Sequence, residues 1–186
     1  MDYNKFRIWV GRIFGILFLV FAQNNLNYYA LAIMAVGISI RLWATGYIHK
    51  DKEVTTAGPY KLLRHPLYLG NFIEGLGFAL FANVWQLTAL YVPVFLLVYY
   101  KKMKLEEQYL RKAFGDNYDT YQKTTPMFIP DLTKLFQKDA VSFNWHNVSQ
   151  NREHLNALGV VIVLAVFTLY QSNIGLLKDT VLLAFQ

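Results

Sequence analysis

The chain has 186 residues, enough for one ordinary domain, but 55% are hydrophobic, 17% aromatic and only 16% charged, against roughly 25% charged in a soluble domain. So few polar side chains cannot coat a globule in water, which sets aside the soluble enzyme classes and favours a membrane protein. The net charge of +6 is spread over the ends of apolar runs rather than in one stripe, which argues for anionic headgroups and against nucleic acid, and the lack of cysteine removes disulfides, thiolate metal sites and a cysteine nucleophile.

Five runs are candidates for crossing roughly 30 Å of hydrocarbon, a distance of about 20 helical residues. The first, residues 6–22, follows Lys5 and contains Arg7 and Arg12, like the basic start of a signal peptide. However, "FAQNNLNYY" offers no small-x-small cleavage site, so an uncleaved span is expected. The second run is 28–48 and the third 67–85; the fourth, 87–100, follows so closely that the two should form a helical hairpin. The fifth is 155–170, and the "IGLLKDTVLLAFQ" beyond it is expected outside the membrane or as an interfacial helix. The loops "QNNLN" and "ANVWQ" carry no Lys or Arg, whereas 49–66 carries Lys50, Lys52, Lys61 and Arg64, and 101–153 is rich in both. Positive charge inside places the N-terminus, the 49–66 loop and the 101–153 segment in the cytoplasm. The short length and missing retention signal point to a prokaryotic plasma membrane. The expected architecture is all-α, a single polytopic domain over 1–186 with about five transmembrane helices and a pocket on the cytoplasmic side.

Charges inside a bilayer are costly enough to need a reason. Arg41 in the second run and Glu74 in the third each lie about two turns from the cytoplasmic boundary, roughly 10 Å deep at 1.5 Å per residue. An Arg41–Glu74 pair follows, either locking two helices together or lining a pocket. Gly70, Glu74 and Gly77 share one helix face, where small residues permit close approach or leave room for a ligand.

Between the second and third runs stands "GPYKLLRHPLYLG", residues 58–70. Gly58-Pro59 signals a turn, and Pro66 suits a first helical turn, where its missing N–H is no loss. Arg64 and His65 then stand at the positive end of a helix, suited to a carboxylate or phosphate; they also read simply as one more inside-facing cation and a residue leading into the helix. Downstream, "YYKKMKLEEQYLRKAFG" (99–115) should carry the fourth helix into the cytoplasm. Its adjacent Glu106 and Glu107 point to different sides, and ordinary salt bridges from Lys102 to Glu106 and from Glu107 to Arg111 account for them equally well. The prolines and spaced tyrosines of "FGDNYDTYQKTTPMFIP" (114–130) read as an ordered surface segment.

Four blocks in this order, "RLWATGYI" (41–48), "GPYKLLRHPLYLG", "LEEQYL" and "FGDNYDTYQKTTPMFIP", resemble the membrane methyltransferases that include isoprenylcysteine carboxyl methyltransferase and the phospholipid N-methyltransferases. The resemblance covers about residues 36–131. It implies an all-helical fold unrelated to soluble Rossmann methyltransferases, and no Gly-x-Gly-x-x-Gly after a strand is present. It implies S-adenosyl-L-methionine as cofactor, held at the cytoplasmic face by His65, Tyr68, Glu106 and Glu107, with Tyr60 and Gly58 in the same block. Arg64, Glu74 and Arg41 are the candidate catalytic residues, Arg64 supporting His65 and Tyr68 at the methionine carboxylate. No metal is implied. The implied acceptor is lipophilic, isoprenylcysteine-carboxylate-like or lipid-like, and enters from the membrane.

Two departures bear on that acceptor. Carboxyl-methylating relatives carry an arginine just after the second tyrosine of the "FG..Y..Y" segment; with Tyr118 and Tyr121 aligned, Thr124 stands there beside Lys123. The phospholipid enzymes' Gly-x-Gly is reduced to Gly46. An amine acceptor would need a base, for which Glu74 is the candidate. Trp145, His146, Asn151 and Arg152 of "FNWHNVSQNREH" either add to the site or lie on headgroups. The alternatives are a phospholipid or amine N-methyltransferase, a sterol-reductase-like enzyme sharing Arg-His-Pro-x-Tyr, which would need more spans, and a membrane scaffold without catalysis.

Overall fold

The computed structural model describes residues 3–23, 27–48, 53–139 and 141–184, with side chains to residue 170. Lys50, Lys52, part of the "QNNLN" loop and the last two residues of the "IGLLKDTVLLAFQ" tail lie outside the described residues. Among the described residues the regular structure is entirely helical. Each of the five apolar runs is a helix: α1 (Tyr3–Phe21), α2 (Ala30–Tyr47), α3 (Pro66–Phe81), α4 (Trp85–Phe114) and the last helix of the chain. Two short helices, α5 (Asp116–Thr124) and α6 (Trp145–Gln150), lie in the polar stretch before that last one, α7 (Glu153–Ala184). The helix of α7 runs through the "IGLLKDTVLLA" segment without interruption.

Among the described residues, on length and apolarity alone, only α2 and the Glu153–Tyr170 part of α7 suffice to cross a membrane. The expected count of about five is not met on that measure. The 16 residues of α3 span roughly 24 Å at 1.5 Å each, α1 carries Lys5, Arg7 and Arg12, and α4 contains Pro93 and turns polar after Tyr100. Yet α1 exposes Trp9, Ile13, Ile16 and Val20, α4 exposes Leu90 and Leu97, and α7 exposes Val161, Ile162, Val166 and Leu169. Such continuous apolar faces mark surfaces that meet lipid or protein rather than water.

The antiparallel α2–α3 pair is the frame. Glycines let the two backbones meet: a Cβ on Gly37 would stand 2.8 Å from the Glu74 backbone nitrogen and 2.9 Å from the Gly70 carbonyl oxygen. One on Gly77 would strike Met34 at 2.4 Å. In lipid, where apolar burial drives little, close packing of this kind holds helices together. Beyond the frame, aromatic contacts gather the other helices. Phe14 of α1 meets Tyr91 of α4 edge-on at 5.7 Å, and Phe81 of α3 meets Phe167 of α7 at 5.5 Å. The α3–α4 hairpin turns at Asn83 (φ 55°), and the Ala82 carbonyl accepts from the Gln23 N–H at 3.0 Å, tying the end of α1 to it.

Candidate active site

The 62–65 strip before α3 is an irregular turn that pairs with the chain after α5. The N–H groups of Arg64 and His65 donate to the Pro126 and Met127 carbonyls at 2.8 and 3.2 Å, and the Asp131 N–H donates to Leu62 at 2.9 Å. The Tyr121 hydroxyl donates to the Tyr60 carbonyl at 2.7 Å. The "RHP" block and the "TTPMFIP" segment are therefore one structure, with the C-terminal half of α4 behind it.

At its centre is Arg64. Its Nε and Nη2 reach Glu107 Oε1 at 2.8 and 2.7 Å, and its Nη1 donates to the carbonyls of Gln122 and Thr125 at 2.8 and 2.6 Å. Lys104 and the Gln122 amide complete the second Glu107 oxygen at 3.4 and 3.3 Å. Burial opposes ionisation of Glu107, but the adjacent His65 ring and the Arg64 guanidinium outweigh it and hold the carboxyl down to about 2. The expected Glu107–Arg111 and Lys102–Glu106 pairs are replaced. Glu107 faces inward to Arg64, and Arg111 instead reaches Asp119 on α5 at 2.7 Å. Arg64 borders the cavity described next, but its guanidinium is committed to a clamp between α3, α4 and α5 rather than free for a ligand.

In front of the clamp lies a cavity of about 400 Å³ bordered by Tyr60, His65, Tyr68, Glu106, Tyr118 and Tyr121, among others. His65 is buried, with Nδ1 3.7 Å from Glu106 and Nε2 3.5 Å from Glu107, so the two adjacent acids flank one ring. At 3.5 Å the second approach is attraction without a formed hydrogen bond, and Nε2 has no hydrogen-bond partner. The hydroxyls of Tyr60 and Tyr118 are also buried and unpartnered. Burial, and then the neighbouring Tyr121 and Glu106 for Tyr60 and Glu107 for Tyr118, push both phenols up from 10.0, so both remain neutral donors at physiological pH. Buried polar atoms left without partners are uncommon and point to a missing ligand.

The expected residues divide into three groups. Tyr60, His65, Tyr68 and Glu106 border the cavity with Arg64, and Glu107 sits behind them. Gly58 does not border it: at φ +60° beneath the Tyr47 ring it forms the turn, its N–H donating to Asp139 at 2.9 Å. Arg41 and Glu74 lie elsewhere. They approach to 3.6 Å, but the principal partner of Arg41 is Glu153, held by two bonds of 2.7 and 2.9 Å. Glu153 opens α7, 112 positions away in sequence, and no local spacing links it to Arg41. Tyr118 was the residue most open to discovery from sequence, since its spacing from Tyr121 puts both on one face of α5. Thr124 and Lys123 are exposed and do not border this cavity. Trp145, His146 and Arg152 are exposed, Asn151 binds the Asn147 carbonyl at 2.8 Å, and none of the four borders this cavity. Gly46 meets a different need: a Cβ there would strike the Phe143 ring at 2.1 Å, and its carbonyl accepts from the Asn144 N–H at 3.0 Å.

The donor set fits S-adenosylmethionine. Neutral phenols and an imidazole suit a carboxylate and hydroxyls, Glu106 suits an ammonium or ribose hydroxyls, and the tyrosine faces suit cationic and flat groups. Among the described residues no three His, Asp or Glu side chains gather as metal ligands.

The phospholipid methyltransferase family model matches residues 10–117, and the chain belongs to this family. It is 31% identical over 163 residues to the cobalt-zinc-cadmium resistance protein CzcN of Cupriavidus metallidurans, covering 83% of this chain and 74% of that protein. It is 35% identical over 102 residues to the nickel-cobalt-cadmium resistance protein NccN of Alcaligenes xylosoxydans xylosoxydans, covering 54% of this chain and 47% of that protein. It is 30% identical over 125 residues to the protein-S-isoprenylcysteine O-methyltransferase of Schizosaccharomyces pombe, covering 63% and 53%. No solved structure matches the chain.

Proposed function

We propose that this protein is a multi-pass membrane methyltransferase that uses S-adenosylmethionine to methylate a lipophilic acceptor at the cytoplasmic face. The observation that carries the reading is the cavity bordered by His65, Tyr60 and Tyr118, with three buried polar atoms lacking partners in a chain of the phospholipid methyltransferase family. When bound, S-adenosylmethionine supplies a methyl group on a sulfonium, open to in-line displacement.

The protein's part is to bind, align and keep dry. The Arg64–Glu107 clamp fixes the 62–65 strip, so that His65 and Tyr60 present polar atoms without rearranging. Tyr118 donates from α5 and Glu106 accepts from α4. Tyr68, stacked on His65 at 5.7 Å, closes the side toward the membrane helices. Burial of these groups strengthens each contact by excluding water. The exposed apolar faces of α1, α4 and α7 support lateral access of the acceptor from lipid, and the basic flanks support a cytoplasmic site. The relatives' names support methyl transfer through the fission-yeast enzyme; the two metal-resistance names specify no chemistry.

Calorimetric titration of detergent-purified protein with S-adenosylmethionine tests the reading, with His65→Ala and Tyr118→Phe beside wild type. Micromolar binding by wild type, abolished in His65→Ala and weakened about tenfold in Tyr118→Phe, is expected from loss of one buried hydrogen bond. Absence of binding by folded wild type, in lipid as well as detergent, would overturn it.

A further inference from the structure

A larger cavity of about 620 Å³ lies among α1, α3, α4 and α7. Its hollow is written into the sequence: Gly11 and Gly15 of α1 and Gly159 of α7 border it, and a Cβ added at any of them would meet nothing within 4 Å. The lining is otherwise mostly Val, Phe and Leu, interrupted by a few polar groups. Of its two charged side chains, Glu74 faces the Arg41 guanidinium at 3.6 Å. Arg7 faces no carboxylate within 4.0 Å among the described residues. Its Nε is buried without a hydrogen-bond partner, and its guanidinium rests over the Tyr99 ring at 5.3 Å.

Arg7 is also beside the smaller cavity. Tyr99 borders the large cavity and Tyr68 the small one, and their rings meet edge-on at 5.2 Å. Tyr68 in turn stacks on His65. A guanidinium and three rings thus form a continuous line from one chamber to the other, and the Tyr99–Tyr68 pair marks where the two chambers adjoin. A half-buried guanidinium whose Nε has no partner beside an apolar cavity is costly until an acceptor answers it, and an anion answers it best.

We propose that Arg7 positions the anionic head group of a single-chain amphiphile seated in this cavity, holding it beside the Tyr99–Tyr68 pair, where the two chambers meet and its oxygen reaches the methyl carbon directly, as the methyl acceptor. The inference rests on the methyltransferase reading above and adds a residue outside the matched span 10–117. It answers the departure at Thr124, because the guanidinium comes from α1 instead of α5. The chemistry is consistent. An acceptor oxygen that is already anionic forms its bond to the methyl carbon as the carbon–sulfur bond breaks with the pair left on sulfur. One anion and one cation are neutralised together, and no proton has to leave.

The test is binding of oleate, dodecyl phosphate and oleylamine to the full chain in phosphatidylcholine nanodiscs, for wild type, Arg7→Gln, Arg7→Lys and Gly15→Leu. Wild type is expected to bind an anionic probe about tenfold more tightly than oleylamine, the size of one charge-assisted contact. Arg7→Gln should erase that preference, Arg7→Lys restore part of it, and Gly15→Leu weaken all three probes by filling the chamber. Binding of S-adenosylmethionine should be unchanged in all variants. Tighter binding of oleate identifies a carboxylate head and tighter binding of dodecyl phosphate a phosphate; both support the proposal. Preference of wild type for oleylamine, which would direct an ammonium toward Glu74, overturns it, as does an Arg7→Gln variant with wild-type preference. Loss of S-adenosylmethionine binding by wild type itself would count against the methyltransferase reading instead.

Discussion

Glu107 shows how one side chain links folding to the site. Its carboxyl is held at about 2 in the folded protein against an ordinary 4.5. Because the folded value is the lower one, the ionised clamp stabilises fully above about 4.5, and that stabilisation is lost as pH falls from 4.5 toward 2. Unfolding temperature recorded over that window should drop in wild type and drop less steeply in Glu107→Gln; parallel curves would contradict the assignment. Arg64→Ala removes one partner of a buried pair and leaves Glu107 stranded, with an expected loss of about 3–5 kcal/mol in denaturant unfolding. A loss within the range of a surface pair, below about 1 kcal/mol, would show that the clamp is not structural. The resemblance to the membrane methyltransferases singled out Arg64, His65 and the two acids as a group, but not the division of labour among them. Which of two adjacent glutamates turns inward depends on where α5 and the 126–131 segment pack. The Arg41–Glu153 pair was hidden for the same reason, since only the tertiary fold brings the start of α7 to the middle of α2.

The helices themselves were largely foreseeable. Apolar runs of adequate length become helices because no other structure satisfies the backbone in lipid. The α3–α4 hairpin and the continuation of α4 past Tyr100 follow from their residues. The α2–α3 frame makes a sharper claim, because its glycines are filled by the facing backbone while those of α1 are not. Gly37→Ala should cost about 1–3 kcal/mol, since the neighbouring Glu74 nitrogen and Gly70 carbonyl cannot yield. Gly11→Ala, whose new methyl meets nothing, should be neutral or slightly stabilising through helix propensity. Paired unfolding measurements in the same detergent decide this, and equal effects at the two positions would refute the close-packed frame. What the runs did not disclose is their depth: a helix of 16 residues and one interrupted by three basic side chains serve in the bundle without passing a length-and-apolarity criterion.

For the whole molecule, the distribution of Lys and Arg predicts that the clamp, the small cavity and the end of α4 lie on one side and the α3–α4 hairpin on the other. The absence of cysteine makes this directly measurable, because any introduced thiol is the sole target. Lys112→Cys should react with an impermeant maleimide only from the cytoplasmic side, and Gln86→Cys only from the opposite side; labelling of both from one side would contradict the topology. On the proposed function the topology matters for chemistry, since it would let a water-soluble cofactor and a membrane-dissolved acceptor meet beside the Tyr68–Tyr99 pair, each entering from its own side. The central claim is that a methyl group passes directly from one to the other where the two chambers adjoin. Its most direct test is incubation of the protein in vesicles of native lipid extract with methyl-labelled S-adenosylmethionine, followed by counting of the organic phase. The account predicts label in the lipid fraction with wild type and none above background with His65→Ala. Folded wild type that binds the cofactor yet leaves every extractable lipid unlabelled would contradict it.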